Sequence, residues 1–231
     1  MPNNKIKKIM VWGDSILKGV TQDENGKYRV LPQNCSALLD AKADVEVVNH
    51  ARFGCTVTKG RAIMQADLNK GTDARYAVIE FGGNDCDFDW AQIAQDPNGV
   101  YEAKTPLATF AHEMEQMIAE TRAAGIRPVL TTLPPIEPNR FFATISRGLN
   151  AQNILQWLGS AFTTYRWQEN YSNTVAQVAK KNNVPLVDIR SAFLTERHYE
   201  NFICEDGMHP NEKGHLLIAN ELQRFFVPVQ A

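Results

Sequence analysis

The chain has 231 residues, of which 44% are hydrophobic and 22% are charged, and its formal net charge is -2. This length suits a single domain over residues 1–231 whose core can hold a wide parallel sheet. The near-neutral charge excludes the electrostatic footprint of nucleic-acid binding or of an anionic membrane surface.

The N-terminus carries several lysines, but the apolar run that follows them is only residues 9–12. We therefore expect no secretory signal peptide and no membrane span. The chain contains four cysteines and no Cys-x-x-Cys pair; they are Cys35, Cys55, Cys86 and Cys204. Sparse cysteines favour a reduced cytoplasmic location. The last three are expected to pack as small apolar groups, the alternative being an oxidation-sensitive rim.

Five short runs of branched and aromatic residues predict buried strands. These runs are residues 6–12, 45–49, 76–81, 127–132 and 184–189. Helical patterns lie between them, which indicates parallel strands joined by right-handed crossovers and hence a three-layer α/β domain. No cofactor is needed to explain the stability of such a domain.

The pattern contains one well-defined helix and one irregular segment. The clearest helix is predicted to have Thr105 as its N-cap, Pro106 as its first residue and an end before Gly125. Residues 134–170 interrupt the alternation of strands and helices. We expect an irregular or partly helical excursion over the site, followed by a long helix that continues to Lys181. The aromatic side chains of this segment either line a site or pack the helix onto the sheet.

Polar, glycine-rich residues follow the predicted strands, where parallel sheets bind their ligands. Gly13-Asp14-Ser15 follows the first strand, and Gly82-Gly83-Asn84-Asp85 follows the third. After the fifth strand, Asp206-Gly207-Met208-His209-Pro210 places an acid and a base three residues apart. A serine needs both groups to become a nucleophile at neutral pH, so Ser15, Asp206 and His209 are candidates for one site.

In this order the blocks resemble those of the SGNH hydrolases, also called the GDSL esterase/lipase family. The first block is similar to the family's Gly-Asp-Ser segment. Residues 49–54 are similar to its asparagine-led glycine block, although Ala51 stands where a glycine is common. The last two blocks match Gly-x-Asn-Asp and Asp-x-x-His-Pro. The resemblance covers essentially the whole chain and implies a three-layer α/β/α, flavodoxin-like fold with a five-stranded parallel sheet and a serine-dependent hydrolysis of esters or thioesters.

The resemblance also implies a role for each matching residue. Ser15 would be the nucleophile, His209 the general base and then acid, and Asp206 the group that orients His209. The oxyanion hole would consist of the backbone N–H groups of Ser15 and Gly54 and the side-chain amide of Asn84. These donors suit acyl transfer, because they must be aimed at the carbonyl oxygen that becomes negative.

Other residues near the blocks are expected to have supporting roles. Asp14 and Asp85 should hold the site loops through backbone hydrogen bonds. Pro210 is predicted to begin the last helix. The remaining histidines, which lack a matching acid or nucleophile, are predicted to be surface or supporting groups; they are His50, His112, His198 and His215. No metal is expected at Asp206 and His209, because no third ligand at a metal-binding spacing is visible.

These observations predict a cytoplasmic esterase for a small acyl ester, such as an O-acetylated carbohydrate. An acyl-thioesterase or lysophospholipase, which would need an extended apolar groove, is an alternative. A flavodoxin-like binding protein for FMN or another phosphate ligand is disfavoured. Gly13 to Gly19 has neither the Walker Gly-x-x-x-x-Gly-Lys-Ser/Thr pattern nor the Gly-x-Gly-x-x-Gly fingerprint of phosphate-binding loops. An α/β-hydrolase is disfavoured by the absence of a Gly-x-Ser-x-Gly elbow. Specificity should depend on residues 87–90 and 134–170, and a homo-oligomer is left open.

Overall fold

The computed structural model describes residues 7–42 and 45–226. Its strands, in chain order, are β1 (Lys7–Gly13), β2 (Val20–Gln22), β3 (Tyr28–Val30), β4 (Val45–Asn49), β5 (Tyr76–Glu80), β6 (Arg127–Thr131) and β7 (Leu186–Val187). Its helices are α1 (Ser15–Lys18), α2 (Cys35–Lys42), α3 (Val57–Leu68), α4 (Trp90–Gln95), α5 (Leu107–Ala123), α6 (Pro138–Ile145), α7 (Ala151–Leu158), α8 (Phe162–Lys181), α9 (Ile189–Leu194) and α10 (Glu212–Phe226), with a 3₁₀ turn at Tyr199–Phe202.

The main sheet has five parallel strands in the order β4-β1-β5-β6-β7. Strand β1 lies inside the sheet between β4 and β5, and its last residue, Gly13, pairs with Glu80. Alternate side chains of β1 enter two different cores, because successive residues of a strand point to opposite faces. Met10 and Trp12 pack on one face, whereas Ile9 and Val11 pack on the other.

Helices cover both faces of this sheet. Apolar side chains of α3, α5 and α8, such as Met64, Phe110 and Tyr171, bury the face that holds Trp12. Helices α2 and α10 cover the opposite face through side chains such as Leu39 and Ile218. The predicted three-layer α/β/α fold with a five-stranded parallel sheet is therefore confirmed.

Several predicted boundaries differ from the structure. The fifth strand is only Leu186–Val187, because Asn183 has a positive φ before it and Asp188 already caps α9 after it. Pro106 is the N-cap of α5 and not its first residue, since its ψ of 144° is extended. Ile6, predicted in the first strand, lies outside the described residues.

The start of the last helix was also predicted wrongly. Pro210 forms an isolated antiparallel bridge with Ile203, and α10 begins at Glu212. The side chain of Asn211 accepts hydrogen bonds from the N–H groups of Lys213 and Gly214. Asparagine thus caps this helix, and proline closes the preceding turn.

A small antiparallel hairpin, β2–β3, was not predicted. It follows α1 after a single residue and contacts the C-terminal part of the chain. The hydroxyl of Thr21 lies 3.3 Å from Cys204 Sγ, and the N–H of Asp206 donates to the side chain of Gln22. The hairpin therefore holds the segment around Asp206 against the segment around Ser15.

Candidate active site

Ser15 lies at the C-terminal end of the central strand β1. Asp14 caps the single turn of α1 by accepting the N–H of Ile16 at 2.9 Å, and Gly19, with a φ of 86°, ends that turn. A side chain at Gly13 would place a Cβ 3.0 Å from the carbonyl oxygen of Glu80. The Gly-Asp-Ser sequence thus turns the chain sharply from strand to helix and leaves Ser15 only 5% exposed.

Asp206 and His209 occupy one tight turn. Gly207 takes a φ of 75°, and a Cβ there would lie 2.3 Å from the backbone nitrogen of Phe141, so this position requires glycine. One oxygen of Asp206, Oδ1, accepts the N–H groups of Met208 and His209 at 2.9 and 3.0 Å. The turn leaves the other oxygen, Oδ2, free to face the imidazole.

Ser15, His209 and Asp206 form a continuous hydrogen-bonded chain. Ser15 Oγ lies 2.8 Å from His209 Nε2, and His209 Nδ1 lies 2.6 Å from Asp206 Oδ2. Burial alone would raise the pKa of Asp206, but the hydrogen bonds and charge of His209 and the N–H of Met208 hold it below its ordinary value. Because an ionised carboxylate only accepts, Nδ1 carries the proton of the neutral imidazole, and Nε2 is free to accept from Ser15.

Two aromatic rings lie against the imidazole of His209. The Phe53 ring stacks on the imidazole at 5.9 Å with an interplanar angle of 8°, and the Tyr28 ring lies at 5.1 Å. Both side chains are partly open to solvent, at 56% and 45% exposure. Partial burial and the Asp206 carboxylate raise the pKa of Tyr28 to about 12. Sequence reasoning missed both rings, because Tyr28 belongs to the unpredicted hairpin and Phe53 is a loop residue.

The predicted oxyanion-hole donors have different surroundings. The Asn84 side chain donates to Asp14 Oδ2 at 3.1 Å, which fixes its amide beside the Ser15 turn. Gly54 follows Phe53 with a φ of 68°. In the part of the chain that the structure describes, the N–H groups of Ser15 and Gly54 donate no backbone hydrogen bond outside the regular elements. Among the described residues, neither N–H group is thus paired with a loop carbonyl oxygen.

Asp85 holds the loop after β5. Its side chain accepts the N–H of Val57, the first residue of α3, at 2.9 Å, and its carbonyl oxygen accepts the N–H of Thr105. Burial raises the pKa of Asp85 to about 6. Asp85 thus joins three segments of chain behind the site and does not reach Ser15 through any hydrogen bond among the described residues.

Glu80 is a site residue that sequence reasoning missed. It is fully buried at the end of β5, and its Oε2 accepts the N–H of Asp14 at 3.4 Å. Burial and the adjacent Asp14 carboxyl hold the pKa of Glu80 well above its ordinary value. Burial raises the pKa of Asp14 as well, although the N–H of Ile16 and the amide of Asn84 oppose that shift. The buried pair therefore retains a proton more readily than two exposed carboxyl groups would.

A cavity of about 340 Å³ opens beside Ser15 and Asn84. Its walls come from the loops after β1, β5 and β6 and from α6, α7 and α8. Large apolar residues dominate, among them Phe88, Trp90, Tyr101, Leu133, Ile136, Phe141, Trp157, Trp167 and Met208. Residues 87–90 and 134–170, predicted to control specificity, thus both contribute to the lining. Trp157 and Trp167 also pack against the core. These aromatic residues therefore both line the cavity and pack their helices onto the sheet.

The side chains of the other histidines and of the cysteines are not members of the hydrogen-bonded chain, although the N–H of Cys204 donates to the carbonyl oxygen of His209 at 2.8 Å. His50 pairs with Asp67 at 2.9 Å, and fully buried His215 lies 3.2 Å from the carbonyl oxygen of Val20 in β2. Burial lowers the pKa of His215 to about 4, so it is a neutral support and not a surface group. All four cysteines are unpaired and buried, and Cys86 also contributes to the cavity wall.

In residues 7–42 and 45–226, no cluster of three or more His, Cys, Asp or Glu side chains could hold a metal ion. In the same residues, no helix is both long and apolar enough to cross a membrane.

Comparisons with known proteins give one family match. The model of the GDSL-like Lipase/Acylhydrolase family matches residues 11–217. The uncharacterized lipoprotein YqeF of Bacillus subtilis (strain 168) is 26% identical over 204 residues, which cover 86% of this chain and 73% of that protein.

Solved structures share the fold at lower identity. The lipase/acylhydrolase from Enterococcus faecalis superposes with a TM-score of 0.66 at 22% identity and covers 98% of this chain and 100% of its own. Axe2, an acetylxylan esterase from Geobacillus stearothermophilus, gives 0.65 at 21% identity, covering 98% and 97%.

Proposed function

The chain belongs to the GDSL-like lipase/acylhydrolase family of SGNH esterases, and we propose that it hydrolyses a small-molecule ester with Ser15 as nucleophile. The observation that carries this proposal is the hydrogen-bonded chain from Asp206 through His209 to Ser15. It ends on a serine in the wall of an apolar cavity. Nucleophile, base and orienting acid thus have the geometry that acyl transfer requires.

The first half of the reaction forms an acyl-enzyme. Nε2 of His209 takes the proton of Ser15 as Oγ attacks the substrate carbonyl carbon. Asp206, ionised because its pKa is lowered, stabilises the imidazolium that results. His209 then gives the proton to the oxygen of the leaving alcohol, the carbon–oxygen bond of the ester breaks, and the acyl group stays on Ser15.

Three donors are proposed to hold the negative oxygen of the tetrahedral intermediate. They are the N–H groups of Ser15 and Gly54 and the side-chain amide of Asn84. Asn84 has two N–H bonds, and Asp14 accepts one of them, so the second is available to the substrate. Because Asp14 already orients the amide, little reorganisation is needed as the charge develops.

The second half of the reaction returns the free enzyme. Water takes the place of the alcohol, and His209 removes its proton as the oxygen attacks the acyl carbon. Collapse of the second tetrahedral intermediate breaks the bond to Ser15 Oγ, which recovers its proton from His209. The products are one carboxylic acid and one alcohol, and no cofactor takes part in any step.

An O-acetylated carbohydrate is a second candidate substrate, because a protein of the same fold, Axe2, is an acetylxylan esterase. Hydrolysis of a thioester would use the same site chemistry and differs only in the leaving group. The cytoplasmic location stays a prediction, and the oligomeric state stays open. A relative that covers most of this chain carries the word lipoprotein in its name.

The proposal is tested by replacing the nucleophile. Ser15→Ala should abolish hydrolysis of p-nitrophenyl acetate and butyrate while the circular dichroism spectrum stays unchanged. Ser191→Ala, at an exposed serine in α9, is the control and should keep full activity. A fluorophosphonate should label the wild type on the peptide that contains Ser15. Undiminished turnover in Ser15→Ala would contradict the serine mechanism.

A further inference from the structure

Resting on the proposed function, we infer that the cavity beside Ser15 receives the acyl half of the ester. We further infer that its occupant is an apolar acyl group of about six to ten carbon atoms. The inference depends on three observations: the side of the site on which the cavity lies, the polarity of its walls and its volume.

The direction of proton transfer decides which half of the ester enters the cavity. His209 must protonate the leaving oxygen, so the alcohol has to lie on the histidine side of the carbonyl carbon. That side is flanked by the partly exposed rings of Tyr28 and Phe53. Among the described residues, the cavity wall includes Ser15 and Asn84 but none of His209, Tyr28 and Phe53. The acyl substituent therefore points into the cavity, and the alcohol stays on the open side.

Away from Ser15 and Asn84, the walls of the cavity present mainly the surfaces of aromatic rings. Phe88 lies at the centre of an aromatic cluster, with its ring 5.0 Å from that of Trp157 and 5.6 Å from that of Trp167. The indole N–H of Trp90 donates to Asp87 at 2.7 Å, and that of Trp157 donates to the carbonyl of Gly99 at 3.3 Å. Both N–H groups already donate to the protein, so these two indole rings offer a bound acyl group only their carbon surfaces.

The charged and unpartnered groups of the lining do not change this conclusion. The second carboxylate oxygen of Asp87 accepts from Lys104 Nζ at 2.7 Å. Trp167 Nε1 and Glu80 Oε1 have no partner among the described residues, but both atoms are shielded from solvent. An atom that water cannot reach cannot hydrogen-bond an occupant of the same cavity. A sugar ring bound in this cavity would leave most of its hydroxyl groups without hydrogen-bond partners, and each buried unpaired hydroxyl weakens binding.

The volume sets the size of the acyl group. An apolar cavity of about 150 Å³ accommodates benzene, with six carbons, and this cavity is about 340 Å³. An acetyl group would leave most of it empty. Because burying one methylene group contributes about 0.8 kcal/mol, each added methylene should raise kcat/KM about fourfold until the cavity is full.

The test is a series of p-nitrophenyl esters from acetate to dodecanoate, measured with the wild-type protein. We expect kcat/KM to rise about fourfold per methylene and to pass through a maximum between about six and ten carbons. A maximum at acetate with a steady fall thereafter would overturn the inference. Faster release of acetate from acetylated xylo-oligosaccharides than of octanoate from its ester would also overturn it.

Two variants of the cavity wall should move the maximum in opposite directions. Trp157→Ala enlarges the cavity and should shift the maximum to longer chains by at least two carbons. Thr163→Phe, at a half-buried lining position, should lower kcat/KM for octanoate at least tenfold more than it lowers kcat/KM for acetate. Leu155→Ala is the matched control, because Leu155 lies on the same helix as Trp157 but is 42% exposed and outside the lining.

These outcomes separate the two levels of the argument. Turnover that persists in Ser15→Ala contradicts the proposed function. Turnover that depends on Ser15 but favours acetate contradicts only the size of the acyl group. If Trp157→Ala does not fold, the wild-type ester series and Thr163→Phe still decide the question. An unchanged maximum in two folded wall variants would show that the acyl group lies elsewhere.

Discussion

Asp206→Asn separates the orientation of His209 from the structure of its turn. Asparagine keeps an oxygen in the place of Oδ1, which accepts the N–H groups of Met208 and His209. The amide NH₂ then faces His209 Nδ1, where the carboxylate oxygen lay at 2.6 Å. Two donors cannot share that contact, so the imidazole must move its proton to Nε2. In that tautomer Nε2 can no longer accept the proton of Ser15.

The expected loss follows from the two functions of the carboxylate. The wrong tautomer removes the base, and the amide cannot stabilise the imidazolium. Both effects act in a site where His209 and Asp206 are each 2% exposed, so solvent replaces little of the lost interaction. We expect kcat to fall about 10⁴-fold, which corresponds to about 5 kcal/mol of activation free energy.

The assay is steady-state hydrolysis of a p-nitrophenyl ester at pH 7.5, with thermal unfolding measured on the same samples. The expected result is a large fall in kcat with KM and the melting temperature nearly unchanged. Glu205→Gln is the control, because Glu205 is the adjacent carboxylate and its side chain is 87% exposed. A loss of less than about tenfold in Asp206→Asn would refute the assigned role, since the tautomer argument requires far more.

Three further substitutions address the surroundings of Ser15. Asn84→Ala should lower kcat about 10²–10³-fold, as for the loss of one oxyanion donor; steady-state kinetics would contradict this if KM rose while kcat stayed constant. Glu80→Gln should gain stability over the wild type as pH rises from 5 to 8. The wild type loses stability over this range because folding raises the pKa of Glu80, whereas glutamine does not titrate. A stability difference from urea unfolding that is independent of pH would refute this. Gly207→Ala should lower both activity and melting temperature, because its φ is 75° and its Cβ would lie 2.3 Å from the Phe141 nitrogen; a fully active and stable variant would show that the turn tolerates a side chain.

The layout of the site could be predicted because each motif follows a buried strand. The run before Gly13 is continuous and apolar, as expected for an interior parallel strand. Gly13 to Ser15 and Gly82 to Asp85 therefore had to meet at the same edge of the sheet. The contact of His209 with Ser15 was suggested by the nearby acid–base pair and by the resemblance, because no periodicity fixes the position of a C-terminal turn.

The missed features gave weaker signals. Strands β2 and β3 have three residues each, too few to show an alternation. Glu80 did leave a signal that could have been used, because it is a charged residue inside the buried run Val78-Ile79-Glu80-Phe81. The aromatic residues of segment 134–170 were ambiguous for a physical reason. The same rings pack against the core and line the cavity, so composition could not separate the two roles.

The site joins residues that are far apart in the sequence, so it can form only late in folding. Ser15 and His209 are separated by 194 residues, so their hydrogen bond closes a loop that contains four of the five strands of the main sheet. During synthesis the sheet strands emerge before the turn at 206–209, and the hydrogen bond cannot form until that turn has been made and docked. A nascent or truncated chain that lacks this turn therefore lacks the site even if its sheet is complete. Recovery of esterase activity after denaturation should consequently report the last long-range contact to form, later than signals from the strands alone.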